Sequence, residues 1–327
     1  MEEKINLLKQ DLNKTFENFT IDKKEVKSLN ELDLLENKYL GKKSLIAQTL
    51  KNINEFPHEV KPFVGKTVNE VRNKIENEIK KLDSLFSKYS TISAVYIFNE
   101  SEKSSYAPQE LIELVMISDS IRKMTNNLFD IRIETLLSYY ERCEKEQLDL
   151  SEDSIKYFVS IMKKDSVFIK NDSIYKSNSA LKIDFGGIAK GYFGDISIEI
   201  MRKNNFRKGI INLGGQIIAL NEIDSRYFKI GIRSPDRDSV VRVDSILNGS
   251  ISTSGDYFRY YEIKGKKYCH IINPLTGIES EGIRSVTVKA NTGAVGDAYS
   301  TAIMLMNENE REAFLKMHKE ITAYIQK

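Results

Sequence analysis

Cysteine is nearly absent from this sequence. Its 327 residues include two, Cys143 and Cys269, too few for a disulfide framework and without the paired spacing of a zinc site. Histidine is almost as scarce. His58 follows a proline in a charged stretch, His318 lies in the lysine-rich C-terminal stretch, and His270 sits in a strand-like run. Any imidazole chemistry therefore falls to His270. Neither sign of charge is in excess, since 49 basic residues face 47 acidic ones, so no global affinity for polyanions follows. No apolar run approaches the length of a membrane span, and the start, MEEKINLLKQ, lacks the apolar core of an export signal. Neither G-x-G-x-x-G nor a Walker loop occurs. As written, the chain is expected to be soluble and cytoplasmic, and it is long enough for two domains.

Residues 1–86 are rich in lysine and glutamate and carry almost no strand signal. The apolar positions Val68, Val71, Ile75, Ile79, Leu82 and Phe86 follow a three-four spacing, which predicts one long amphipathic helix. An earlier helix is expected from Leu29 to Tyr39, stopped by Gly41, with a second break at Pro57. Together these predict an N-terminal antiparallel helical hairpin, coiled-coil-like, over residues 1–80, followed by a second domain over residues 81–327. There SAVYIF reads as a strand, PQELIELVMISDSIRKMT as a helix begun by Pro108, and LDLSEDSIKYFVSIMKK as a helix with Ser151 and Asp153 suited to cap it. VFIKNDSIYKSN reads as a hairpin turning at Asn171-Asp172. LKIDFGGIAKGYFGDISIEIMRKNN reads as strand, glycine pair and helix, and GIINLGGQIIAL as another strand running into Gly214-Gly215. YFKIGIRSP is a strand ended by Pro235. Tyr268 to Asn273 alternates like a strand stopped by Pro274, and SVTVKA like another. Alternating strands and helices imply an α/β or α+β domain.

After SVTVKA the spacing turns helical in AVGDAYSTAIMLM. Asp297 and Thr301 stand four residues apart and project from one face of that helix. A carboxylate and a hydroxyl, next to a strand carrying His270, suit a hard cation such as Mg²⁺, which keeps positions for water or phosphate oxygens. The position suits Asp297 equally to serving a helix dipole. Asp184-Phe185-Gly186-Gly187-Ile188-Ala189-Lys190-Gly191 joins a predicted strand to a predicted helix. Glycines there let a ligand approach the backbone, and a helix start favours anions. A glycine pair alone is also simply a tight turn. Joined to Lys190 and the Asp297/Thr301 pair, it points to phosphate handling.

Two family resemblances follow from longer stretches. DFGGIAKGYFGD (184–195) resembles the signature of the ApbE family, the FAD:protein FMN transferases. NLGGQIIAL (212–220), ISTSGDYFRYY (251–261), HIINPLTG (270–277) and GDAYSTA (296–302) resemble that family's later motifs, in order. LDSLFSKYSTISAVYIFN and TNNLFDIRI resemble its less specific N-terminal ones, so the resemblance runs over roughly residues 75–325. It implies a flavin-transferase-type fold, FAD as substrate and Mg²⁺ as cofactor. AMP would be released, and FMN joined by a phosphoester to a threonine of an acceptor flavoprotein. By motif, Asp184 and Lys190 would contact FAD, while the carbonyl of Gly187 with Asp297 and Thr301 would hold Mg²⁺. Leu128, Phe129 and Asp130, with Tyr89 and Ile272, would line the flavin. His270 would be the catalytic base for the threonine hydroxyl. Separately, residues 1–80 resemble the N-terminal helical arm of the phenylalanyl-tRNA synthetase α subunit. That resemblance rests on Tyr39-Leu40-Gly41-Lys42-Lys43, the spacing to Pro57, and Gly65 before Val68-Asn69. It implies a tRNA contact through Lys38, Lys42 and Lys43. None of the synthetase's catalytic module follows.

The sequence also departs from the ApbE pattern. The Met-Gly-Thr strand that usually begins the family's fold is missing. Asn273 stands where an aspartate is common before the proline, and Arg132 where a threonine is common after Phe129-Asp130. Relatives tend to continue past AYIQK into one more strand. Strands lost at both ends would expose sheet edges. Two other functions fit the same residues: an FAD pyrophosphatase yielding free FMN and AMP, or a non-catalytic module. Such a module would hold FAD, or carry a tRNA-binding arm on an inactive passenger domain.

Overall fold

The computed structural model of this chain describes residues 2–25, 29–41, 44–53, 56–83, 88–203, 207–236, 239–257, 259–280 and 282–327. Lys42, Lys43 and Phe86, and the side chains of Val71, Ile75, Ile79 and Leu82, lie outside the described residues. The chain divides into two compact units, Met1–Ser93 and Ala94–Lys327. The division thus falls later than the expected 80/81.

Where two antiparallel helices were expected in the first unit, four pack together: α1 (Glu2–Glu25), α2 (Leu29–Leu40), α3 (Leu45–Lys51) and α4 (Lys61–Asp83). Leu12 and Phe19 of α1 join Leu35, Tyr39, Ile46, Val64 and Val68 in one core. Val64 and Val68 are four apart, one turn of α4, which is the spacing that predicted this helix. Gly41 does end α2. A Cβ on it would lie 2.3 Å from the Asn37 carbonyl oxygen, which accepts the Gly41 N–H. Ser44 caps α3 by accepting from the Ala47 N–H at 3.1 Å. Lys38, expected to meet tRNA, is ion-paired to Asp22 at 2.5 Å.

The second unit contains α5 (Ala94–Glu100), β1 (Ser104–Tyr106), α6 (Gln109–Met124), α7 (Glu134–Glu146) and α8 (Glu152–Lys164). There follow β2 (Val167–Lys170), β3 (Ser173–Lys176), α9 (Ala189–Lys203), β4 (Lys208–Leu213), β5 (Gln216–Asn221), β6 (Phe228–Arg233) and β7 (Val240–Ile246). β8 (Gly249–Gly255), β9 (Tyr260–Ile263), β10 (Lys266–Cys269), β11 (Ser285–Ala290), α10 (Gly293–Leu305), α11 (Glu308–Met317) and β12 (Thr322–Gln326) complete it. The fold is mixed α/β, and its main sheet has the order β12-β11-β8-β5-β4, every neighbour antiparallel. β5 is buried along its whole length. Its alternate residues face opposite ways: Ile218 and Leu220 pack with Ile198 of α9, while Ile217 and Ala219 pack with Ile246 of β7 and Phe228 and Ile230 of β6. Helices therefore cover one face of the sheet and the β6–β7 hairpin the other. β12, which contains AYIQ, is the edge strand beside β11.

Three expectations are corrected. SAVYIF is α5, not a strand, because Val95, Phe98 and Asn99 are buried at helical spacing, a tertiary demand that overrides β propensity. Residues 181–185 form no strand and join no sheet. The strand predicted at 268–273 ends at Cys269, with His270 just beyond it. At Gly214-Gly215 the chain makes a tight hairpin between β4 and β5, both glycines at positive φ (60° and 98°). The Asn171-Asp172 hairpin forms as expected, with Asn171 left-handed at φ 53°. Among the described residues no helix is long and apolar enough to cross a membrane.

Candidate active site

Two glycines let two helix starts meet. A Cβ on Gly191 of α9 would lie 2.0 Å from the Gly293 carbonyl oxygen, and one on Gly293 of α10 would lie 2.1 Å from that of Gly191. Backbone opposes backbone there, so no side chain can yield. First-turn N–H groups have no partner inside their own helix. Here the neighbouring helix supplies partners. The Gly191 N–H donates to Oδ2 of Asp297 at 3.0 Å. The N–H groups of Gly293 and Ala294 donate to Oδ1 and Oδ2 of Asp195 at 2.5 and 2.9 Å. The Val295 N–H donates to the Thr292 hydroxyl at 3.4 Å. Asp297 does serve a helix start, but that of α9 rather than its own.

Asp297 is 3% exposed. Its other oxygen, Oδ1, is 3.8 Å from Nζ of Lys190, which also approaches the Gly186 carbonyl at 3.4 Å. Burial pushes the Asp297 carboxyl above its ordinary range, opposed by Lys190 and the Gly191 N–H. A buried carboxylate with its cationic partner at 3.8 Å is short of positive charge. One turn on, the Thr301 hydroxyl faces Gly187, 3.4 Å from where a Cβ on that glycine would sit. Ser254 of β8 holds the same hydroxyl at 3.0 Å. Asp297, Thr301 and the Gly187 carbonyl are hard oxygen donors of the kind Mg²⁺ prefers, so the residues fit that ion. Among the described residues no group of three or more His, Cys, Asp or Glu could hold a metal, so a cation here depends on this mixed set.

Asp184 opens the glycine loop. Its Oδ2 accepts the Gly186 N–H at 2.9 Å, and its own N–H donates to the Ile131 carbonyl at 2.8 Å. His270 is half-buried. Its Nδ1 lies 2.9 Å from the Arg259 carbonyl oxygen. A carbonyl can only accept, so Nδ1 carries the hydrogen and the neutral ring presents Nε2 as an acceptor. Burial holds the imidazole below its ordinary value of 6.5; the Arg259 carbonyl and Asp184 pull upward, while Arg259 and Lys190 push further down. The charges of Asp184 and Lys190 therefore reach the His270 ring. The turn beyond His270 is tied down by hydrogen bonds. Asn273 Oδ1 accepts the Leu275 N–H at 2.8 Å, and the Tyr140 hydroxyl donates to the Gly277 carbonyl at 2.9 Å. An amide oxygen accepts that bond as a carboxylate would, which accounts for Asn273 in place of aspartate.

The Phe129 ring touches Gly187, 3.3 Å from a Cβ built there, and Leu128 beside it is buried. The Asp130 carboxylate accepts the Arg132 N–H at 2.9 Å and pairs with that residue's guanidinium. Arg132 Nη1 also donates to the Asp165 carbonyl at 2.7 Å, so the departure at this position locks Asp130 in place. Ile272 lies in a core with Leu136, Tyr140 and Tyr261. Tyr89 is exposed and belongs to the first unit.

Sequence reasoning missed Asp195, Ser254, Asn99 and Lys176. Burial pushes the Asp195 carboxyl up to about 6 against the pull of its two amides. The Asn99 carboxamide pairs with both backbone groups of Ile183, at 2.9 and 2.8 Å. Lys176 donates to the carbonyls of Asn99 and Leu181 at 3.1 and 3.0 Å. Both side chains anchor the backbone of residues 181–183, the stretch leading into Asp184. For Asp195 a signal existed: GYFGD (191–195) and GAVGD (293–297) are the same G-x-x-G-D pattern.

The class this defines is structural: a mixed α/β scaffold with an antiparallel main sheet, on which two helix starts meet beside a buried carboxylate, hydroxyls and a lysine. The model of the ApbE family matches residues 49–325, and the chain belongs to the ApbE family. The match begins inside α3, within the stretch that resembled the synthetase arm. The FAD:protein FMN transferase of Escherichia coli (strain K12) is 26% identical over 267 residues, covering 76% of this chain and 74% of that relative. That of Rhodobacter capsulatus is 33% identical over 143 residues, 43% of this chain and 27% of that relative. The crystal structure of the ApbE protein from Thermotoga maritima is similar with a TM-score of 0.66 at 25% identity, covering 79% of this chain and 86% of that one.

Proposed function

We propose that this chain is a Mg²⁺-dependent FAD:protein FMN transferase that attaches FMN to a threonine of an acceptor flavoprotein. The observation that carries this reading is the convergence of Asp297, Thr301 and Lys190 on the Gly186-Gly187 loop, with His270 within electrostatic reach of Lys190 and Asp184. Family membership supports the same reaction, since the curated relatives bear that name.

In this reading Asp184, Lys190 and the glycine loop receive the FAD pyrophosphate. Lys190 and the start of α9 offer it positive charge. Asp297, Thr301 and the Gly187 carbonyl would hold Mg²⁺, which when bound would neutralise charge on the pyrophosphate. The threonine oxygen forms a bond to the phosphorus on the FMN side, the bond to the AMP oxygen breaks, and AMP leaves. Nε2 of His270 takes the hydroxyl proton, the hydrogen on Nδ1 staying with the Arg259 carbonyl. Phe129, against Gly187, and Leu128 are apolar surface for the flavin side. Asp130, held by Arg132, serves through the shape of the 128–132 segment. For the helical unit no tRNA contact is proposed, since Lys38 is already paired with Asp22.

The test is mass spectrometry of an acceptor protein incubated with this chain, FAD and Mg²⁺. A phosphoester-linked FMN on the acceptor threonine, absent when that threonine is replaced by valine, is the expected result. An unmodified acceptor with FAD converted to free FMN and AMP would replace this reading with a pyrophosphatase.

A further inference from the structure

The two helix starts obey one rule. In GYFGD and in GAVGD the first glycine makes the helix–helix contact, and the aspartate one turn later caps the opposite helix. The fourth residue of each is also a glycine pressed onto the sheet. A Cβ on Gly194 would lie 2.0 Å from Ile218 Cδ1, and one on Gly296 would lie 2.5 Å from the Ser252 hydroxyl. The pair is thus related by an approximate local twofold in both sequence and contacts.

Its two carboxylates are used differently. Asp195 is closed: both oxygens accept backbone N–H groups, from Gly293 and Ala294. Asp297 is half open: Oδ2 accepts the Gly191 N–H, while Oδ1 has Lys190 at 3.8 Å. We propose that Asp195 is a positioning residue for the cation site, fixing the start of α10 so that Oδ1 of Asp297 and the hydroxyl of Thr301 stay aimed at the Gly187 loop. This inference rests on the reading of Asp297 and Thr301 as metal ligands. Asp297 sits on the turn that Asp195 anchors, and Thr301 one turn further along the same face. Two charge-assisted bonds to the first two N–H groups restrain both the rotation and the axial position of α10. The Gly191–Gly293 contact leaves no slack for the helix to settle elsewhere. Residues that orient metal ligands typically contribute about 10–100-fold to metal affinity.

The experiment is a Mn²⁺ titration of the full-length chain, followed by the electron paramagnetic resonance signal of free Mn²⁺, on wild type, Asp195→Asn and Asp297→Ala. Asparagine can accept one of the two N–H groups but must turn its NH₂ toward the other. The expected result is tight binding by wild type, loss in Asp297→Ala, and binding about 10–100-fold weaker in Asp195→Asn. Raised metal should then restore the turnover of Asp195→Asn. A purely structural role for Asp195 would lower the active fraction and leave the titration midpoint unmoved. Folded Asp195→Asn binding Mn²⁺ within about twofold of wild type, while Asp297→Ala does not bind, would overturn this inference alone. A wild type that binds no Mn²⁺, or an Asp297→Ala that binds normally, would overturn the metal reading and this inference with it. Wild-type amide hydrogen exchange covers the case in which Asp195→Asn fails to fold. Mn²⁺ is expected to slow exchange in both 189–195 and 292–297, and slowing confined to 292–297 would contradict the coupling.

Discussion

Nδ1 of His270 lies 2.9 Å from the carbonyl oxygen of Arg259, and this bond decides which ring nitrogen is available. Because Nδ1 must donate, Nε2 of the neutral ring is free to accept a proton from an incoming hydroxyl. Burial favours that neutral form by lowering the imidazole below 6.5.

Replacing His270 by alanine is therefore expected to slow transfer by about 10²–10⁴-fold while FAD binding persists. The wild-type rate should fall on the acid side with a midpoint below 6.5, as His270 becomes protonated, and the variant should lack this limb. Steady-state rates across pH, with flavin fluorescence titrations, check both. Loss of FAD binding in the variant would make His270 structural instead.

Asp297→Ala is expected to abolish metal-dependent turnover. Asp297→Asn should do the same yet, in chelator, unfold at a temperature equal to or above wild type. It keeps an acceptor for the Gly191 N–H and removes a buried charge. Added Mg²⁺ should raise the wild-type midpoint and leave the asparagine variant unmoved. Calorimetry with and without Mg²⁺ measures each shift.

Gly191 and Gly209 should respond very unequally to alanine. At Gly191 the new Cβ meets the Gly293 carbonyl at 2.0 Å, whereas at Gly209 it meets the Met201 terminal methyl at 2.5 Å. Backbone cannot give way and a methionine end can. Urea unfolding should show a loss of about 3 kcal/mol or more for Gly191→Ala and about 1 kcal/mol or less for Gly209→Ala. Similar losses at the two sites would contradict the close helix contact.

Lys176 supplies a pH signature. It is 2% exposed, and burial lowers it from 10.5 to about 8. Between those values the unfolded chain binds more protons, so the Lys176 contribution to stability should rise with pH across that window, by about 3 kcal/mol. Urea unfolding at several pH values should show the stability of wild type relative to Lys176→Met rising across that window; a difference that does not change with pH would contradict it.

The sequence exposed chemistry more readily than architecture. The 184–191 loop, Lys190, and the Asp297/Thr301 spacing could be read locally because each is a short pattern with one geometric consequence. α5 could not. SAVYIF looks like a strand until Phe98 and Asn99 find their burial partners, and one of those, Ile183, is 84 residues away. The same side chain bears on residues 181–183: the backbone groups of Ile183 pair with the Asn99 carboxamide rather than with a neighbouring strand. Asp195 was hidden for the same reason, its partners lying 98 and 99 residues on. The repeated G-x-x-G-D pattern was the available clue. The helical unit was undercounted because α1 has a polar surface and few apolar anchors, Leu12 and Phe19 among them.

The most direct test of the transferase reading is the molar ratio of AMP released to flavin covalently bound, with purified chain, FAD, Mg²⁺ and a threonine-bearing acceptor domain. One AMP for each flavin bound, with AMP release falling sharply when the acceptor is omitted, is the expected result. AMP released at the same rate with or without acceptor, and no flavin on the protein, would contradict the account.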